Sequence, residues 1–207
     1  MIRCLPVGEV NTNCYLVSGD EDERSVLVVD PGGDGDVILR ALEGCRVRAV
    51  LLTHGHFDHT GALDRFPGCP VYIGARDAAM LTDPDLNAGF LCGDRRVRPP
   101  ATDLLHGGEE LRFEGFSRPV AVIASPGHTP GGMCYRLGDD LLTGDTLFRY
   151  GFGRTDLPGG DHRALVLSLK ALLSLEGDLK VYPGHGDMTT LDRERALYGA
   201  LPPDQEA

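Results

Sequence analysis

Seven histidines punctuate this 207-residue chain. Five of them, His54, His56, His59, His128 and His185, sit in glycine-bearing segments that each follow an apolar, strand-forming run. A lone histidine is ordinarily a surface or structural residue, and His106 and His162 are read that way. The run Thr53-His54-Gly55-His56-Phe57-Asp58-His59 differs in kind. On a helix His54 and His56 would point about 200° apart, whereas two residues apart at the end of a strand they face one side and can share an ion. Asp58 and His59 are adjacent, so they join that face only if the chain turns. A turn brings them in from a new direction, which favours two neighbouring metal ions over one four-ligand site. Further ligands stand in Ser125-Pro126-Gly127-His128-Thr129-Pro130-Gly131, Thr143-Gly144-Asp145-Thr146 and Tyr182-Pro183-Gly184-His185-Gly186, each after an apolar strand.

The elements that must position these loops are short. Strands are expected over residues 2–6, 14–18 and 25–29, a helix over 36–42 and a strand over 47–53. This strand–helix–strand unit leads directly into the His-rich loop. A short helix over 60–66 and a strand over 71–73 follow, and residues 82–100 read as loop. Strands recur over 120–124, 133–137, 141–142 and 179–182. Asp161 can cap a helix that carries Leu165, Leu169, Leu172 and Leu173 on one face, and a last helix is expected from Thr189 to Gly199.

Composition narrows the function. Charged residues make up 25% and hydrophobic ones 42%, ordinary for a chain with a real core, and one domain over residues 1–207 is expected. The 20 basic residues face 31 acidic ones, a net charge of −11, which disfavours nucleic acid and anionic membrane as partners. No apolar run nears the ~20 residues of a bilayer span and the start lacks a signal-peptide pattern, so a cytoplasmic location is expected. The six cysteines form no C-x-x-C pair and read as reduced, mostly packed thiols. No G-x-S-x-G elbow and no phosphate-loop lysine offers an alternative chemistry.

The set His54-x-His56-x-Asp58-His59, with His128, Asp145 and His185 in that order, resembles the metallo-β-lactamase-fold hydrolases, and residues 27–32 resemble that family's first motif. The resemblance spans about residues 12–194 and implies an α/β, four-layer αβ/βα sandwich with its site at the shared edge of two sheets. It implies one metal on His54, His56 and His128, a second on Asp58, His59 and His185, and Asp145 bridging them. Asp30 would orient the His loop. Zinc, iron or a mixture suits imidazole and carboxylate ligands. A hydroxide shared by the two ions would be the nucleophile, with Asp58 and Asp145 holding the catalytic centre and no Ser or Cys needed.

Within that family, residues 144–148, 151–156 and 182–186 resemble glyoxalase II in its short form, without the C-terminal helical domain. That likeness implies hydrolysis of a small anionic thioester of the hydroxyacylglutathione type by a monomer or homodimer. Arg154 and Arg149 are candidate contacts for the substrate's charge. The tyrosines that full-length relatives carry at or near two positions are replaced here by Asp156 and Asp187. The alternative is a persulfide dioxygenase, which shares the fold, the histidines and a segment like residues 153–156. In that reading His54, His128 and Asp145 form a 2-His-1-carboxylate triad on one iron, acting on glutathione persulfide.

Overall fold

A computed structural model describes residues 1–198. Strands β1 (Ile2–Val7), β2 (Thr12–Ser18), β3 (Ser25–Val29), β4 (Arg46–Leu51), β5 (Val71–Gly74) and β6 (Asp103–Leu105) lie side by side in that order in one sheet. The first three pair antiparallel and the remainder parallel. β7 (Glu110–Leu111), β8 (Val120–Ala124), β9 (Met133–Leu137) and β10 (Asp140–Gly144) build a second sheet. β11 (Leu147–Phe148) and β12 (Gly151–Phe152) form a separate hairpin, after which β13 (Lys180–Pro183) and β14 (Thr189–Thr190) extend the second sheet beyond β10.

Alternation along the strands sorts their side chains into three cores. Cys14, Leu16, Val26, Val28 and Val50 point outward from the first sheet, onto Ile38 of helix α1 (Gly35–Ala41). Tyr15, Val17, Leu27, Val29, Ala49 and Leu51 point inward against Val120, Val122, Tyr135 and Leu142 of the second sheet. The outer face of that sheet, with Cys134, Leu141 and Val181, packs on Leu165, Leu169 and Leu172 of a long helix that runs His162–Leu173. Asp161 caps it, its carboxylate accepting from Ala164 N at 3.0 Å. Helix, sheet, sheet and helix are the four layers expected.

The short elements depart from expectation. Where one helix over 60–66 was expected, helix α2 (Phe57–Thr60) and a separate 3-10 turn at Leu63–Arg65 form. The turn begins early because tertiary bonds fix it, Phe57 N to Asn87 O at 2.9 Å and Ala62 N to Pro31 O at 2.8 Å. Helix α3 (Ala78–Thr82) and strands β6 and β7 were not anticipated; each has five or fewer residues, too short to show periodicity. The His162–Leu173 helix is α4, and helix α5 (Leu191–Tyr198) starts two residues later than expected, since Thr189–Thr190 pairs with β13 first. Its expected end at Gly199 lies outside the described residues. No helix among the described residues is long and apolar enough to cross a membrane.

Candidate metal centre

Every loop bearing a candidate ligand leaves the same edge of the two sheets. Asp30, directly after β3, takes a left-handed φ of 51° that a non-glycine residue rarely adopts. Its buried carboxylate accepts from Thr53 N at 2.8 Å and Thr53 Oγ1 at 2.6 Å, and Nδ1 of His59 lies 2.8 Å away. One side chain thus sets both ends of the His-rich loop. His54 and His56 lie beyond β4, in the loop itself rather than on the pleat of a strand, and Thr53 Oγ1 sits 3.1 Å from His54 Nδ1. Their rings stand 4.7 Å apart and nearly perpendicular. Helix α2 then swings Asp58 and His59 round to the second position.

The second sheet delivers the rest. His128 follows β8, and its Nδ1 sits 2.7 Å from the Arg154 carbonyl oxygen, leaving Nε2 for the cluster. Asp145 follows β10, and His185 follows β13, joined to Thr12 by an isolated bridge. Gly184 is required here: a Cβ would fall on Asp145 Oδ1 and His59 Cε1.

The structure brings all seven candidate ligands together. His54 Nε2 and His128 Nε2 lie 3.1 and 3.0 Å from His56 Nδ1. His185 Nε2 is 3.1 Å from Asp58 Oδ2, and His59 Nε2 is 3.6 Å from the same oxygen. Asp145 stands between the groups, 3.4 Å from His59 Nε2 and 3.6 Å from both His128 Nε2 and His185 Nε2. These spacings are close to the ~3.3 Å edge of a tetrahedral site with bonds of about 2.0–2.1 Å.

Chemistry supports the same fit. With Nδ1 of His54 and His128 bonded elsewhere, their Nε2 atoms carry lone pairs, and His56 Nδ1 has one proton at most with which to meet both. His59 Nε2 and Asp145 Oδ1, both facing the cluster, are buried without a hydrogen-bond partner among the described residues. Such orphaned atoms are costly unless an electrophile joins them, and a divalent cation is the group this donor set suits.

Electrostatics divide the cluster. Burial, reinforced by neighbouring imidazoles, drives His54 well below the usual histidine range and His56 to about 3, so both are neutral donors at pH 7. Burial also opposes charge on Asp58 and Asp145, but His59 overrides it and both stay below the ordinary carboxylate value. For His59 and His185 burial is likewise overcome, chiefly by these two carboxylates, and both are raised.

Two positioning residues escaped sequence reasoning. Asp77, fully buried, accepts from Thr129 Oγ1 and Gly131 N, both at 2.6 Å, and from Gly55 N at 3.2 Å, tying the His54–His56 loop to the His128 loop. Asn13 donates to Pro183 O at 3.0 Å and Gly186 O at 2.8 Å, bracketing His185. A polar pair, Thr12-Asn13, at the head of an otherwise apolar strand was the available signal for the second.

A cleft of ≈ 550 Å³ opens over the cluster, with Val10, Leu91, Phe148, Phe152 and Leu157 among its walls. Arg154 lines it, but its guanidinium is held by Asp156 through bonds of 2.6 and 2.7 Å. Arg149, expected at the substrate, is not among the lining residues; it pairs with Asp187 at 2.6 Å and covers the Tyr150 ring. Each arginine thus pairs with an aspartate.

Residues 7–185 match the family model described as the Metallo-beta-lactamase superfamily. The chain belongs to that superfamily. It is a metal-dependent hydrolase with the superfamily's fold. Among relatives, it is 38% identical to the probable metallo-hydrolase YqgX of Bacillus subtilis, covering 93% of each chain. It is 32% identical to the hydroxyacylglutathione hydrolase GloC of Haemophilus influenzae, covering 94% of each. Among solved structures, BLEG-1 B3 metallo-beta-lactamase superposes with a TM-score of 0.89 at 36% identity, covering 95% of this chain and 97% of that one. TTHA1623 in a di-iron-bound form gives 0.82 at 36% identity, covering 93% and 96%. ETHE1 from Myxococcus xanthus gives 0.76 at 30%, covering 94% and 81%.

Proposed function

We propose that this protein hydrolyses thioesters of the hydroxyacylglutathione type with two divalent ions, zinc, iron or one of each, at the centre. The observation that carries the reading is Asp145, whose carboxylate lies within 3.6 Å of histidines from both ligand groups at the floor of an open cleft. His54, His56 and His128 would hold one ion and Asp58, His59 and His185 the other, the di-iron neighbour and the relative GloC supporting ion number and substrate class. Bound there, a divalent cation supplies Lewis acidity and makes water nucleophilic near neutral pH.

The chain's own residues supply the rest. Asp30 and the Arg154 carbonyl lock the ring orientation of His59 and His128, so their Nε2 atoms stay aimed at the centre. Asp58 and Asp145 remain ionised and balance the cationic charge without cancelling it, which suits an oxyanion developing at a carbonyl. A thiolate leaves readily because the parent thiol's pKa is about 8.5, so no strong general acid is required.

S-lactoylglutathione hydrolysis, measured beside oxygen uptake with glutathione persulfide on one metal-characterised sample, tests the proposal. The expected result is thioester cleavage without oxygen consumption and two ions per chain. Persulfide-dependent oxygen uptake with one iron and no thioesterase activity overturns it in favour of the dioxygenase.

A further inference from the structure

The β11–β12 hairpin carries none of the ligands, yet it supplies both Phe148 and Phe152 to the cleft. The Phe148 ring lies 6.4 Å from that of His185, so the hairpin borders the centre itself. Phe152 is 39% exposed, Leu91 56% and Val10 47%, and all three line the same opening. Large apolar side chains left in water around one cleft mark a binding surface. The arginines nearby are paired, Arg154 with Asp156 and Arg149 with Asp187.

The hairpin is also held in a strained shape. Tyr150, at its tip, adopts a left-handed φ of 64°, unfavourable for a side chain with a bulky ring. Its N–H donates to Glu194 Oε2 at 3.0 Å, and Glu194 Oε1 accepts from Thr189 Oγ1 at 2.6 Å. Glu194, on α5, is fully buried. Both donors are neutral, a costly arrangement for a buried carboxylate, and what the arrangement secures is the hairpin tip. Phe152 leans on the same helix, its ring 6.1 Å from Tyr198.

We propose that the β11–β12 hairpin is the specificity wall of the cleft: Phe148 and Phe152, with Leu91 and Val10, contact an apolar, uncharged portion of the substrate, and Glu194 positions that wall. The chemistry assigned to the substrate rests on the thioesterase reading above; the wall does not. At this wall, affinity for the substrate is gained through apolar area.

The test uses lactoyl thioesters of straight-chain alkyl thiols and the matching non-hydrolysable thioethers, read by kcat/KM and by calorimetric Kd. Full burial of a methylene is worth about fourfold, so in this half-open cleft both quantities should improve about twofold per methylene until the walls are covered. Phe148→Ala and Phe152→Ala should flatten the gradient. Glu194→Ala should flatten it with metal content unchanged, and Glu194→Gln, whose amide oxygen still accepts from Tyr150 N–H, should retain it. If Glu194→Ala does not fold, the two phenylalanine variants and Glu194→Gln decide. Thioether affinity that ignores chain length, or a gradient that survives both phenylalanine variants, overturns the wall. Graded thioether binding with no thioester cleaved supports the wall and overturns only the thioesterase reading.

Discussion

Asp77 offers the sharpest test of how the two histidine loops are held. Replacing it with alanine strands three buried donors, Thr129 Oγ1, Gly131 N and Gly55 N. An unmet buried donor costs about 1–3 kcal/mol, and because the 3.2 Å bond to Gly55 is long the two 2.6 Å bonds dominate, giving roughly 3–5 kcal/mol. Against the ~5–15 kcal/mol that holds a domain together, Asp77→Ala should fold but melt roughly 8–16 °C lower. Because the lost bonds join the loops carrying His54, His56 and His128, metal affinity should fall by about 10–100-fold. Thermal melting by circular dichroism and competition with a chromophoric chelator measure the two effects. The pH dependence has a definite sign. Burial raises the Asp77 carboxyl above its ordinary value of 3.8, the bonds from Thr129, Gly131 and Gly55 offsetting part of that rise. The folded state therefore binds this proton more tightly than the unfolded one, so the contribution is full below 3.8 and is lost as pH rises through the native value. Compared with Asp77→Asn, which cannot titrate, chelated wild type should gain stability as pH falls from 7 towards 4. A melting temperature within about 2 °C of wild type for Asp77→Ala, with metal affinity unchanged, would refute the reasoning.

Asp145→Ala should lose more metal than Asp58→Ala, because Asp145 approaches His59, His128 and His185 whereas Asp58 approaches only His59 and His185; equal losses by elemental analysis would contradict this. Chelation should abolish activity and lower the melting temperature by several degrees, with re-addition of zinc or ferrous iron restoring both, since ligand binding to the folded state alone adds about 2.7 kcal/mol at a hundredfold excess over Kd. Among the cysteines, exposed Cys92 should react with an aromatic disulfide reagent within minutes at pH 8, whereas Cys14, pushed well up by burial, and Cys134, raised to about 11 by burial, should react only on unfolding. Rapid modification of all six thiols in the native state would argue against this packing.

The parts of this molecule that were legible from sequence share one property: an apolar pattern or a rare residue type marks them. Residues 14–17, 26–29 and 49–51 of β2, β3 and β4 are apolar throughout because both faces of the sheet are covered there, and Leu165, Leu169 and Leu172 fall at helical spacing because α4 buries only one face. The histidines stand out because nothing in a globular core calls for five of them after strands. Carboxylates give no such signal, because one buried for its bonds to the backbone reads in sequence like one in water. Glu194 lies in Asp192-Arg193-Glu194-Arg195, to all appearance a solvated helix face, yet it is sealed beneath the hairpin. Asp77 reaches partners 22, 52 and 54 residues away, distances that no local pattern records. The two arginines show how far sequence distance governs legibility. Arg154 meets Asp156 two residues on, a pairing that local spacing already allowed, while Arg149 is claimed by Asp187, 38 residues distant. An expectation built on charge alone gives both guanidiniums to the substrate. In the folded chain each pairs with an aspartate, at or near the positions where the resemblance expected tyrosines.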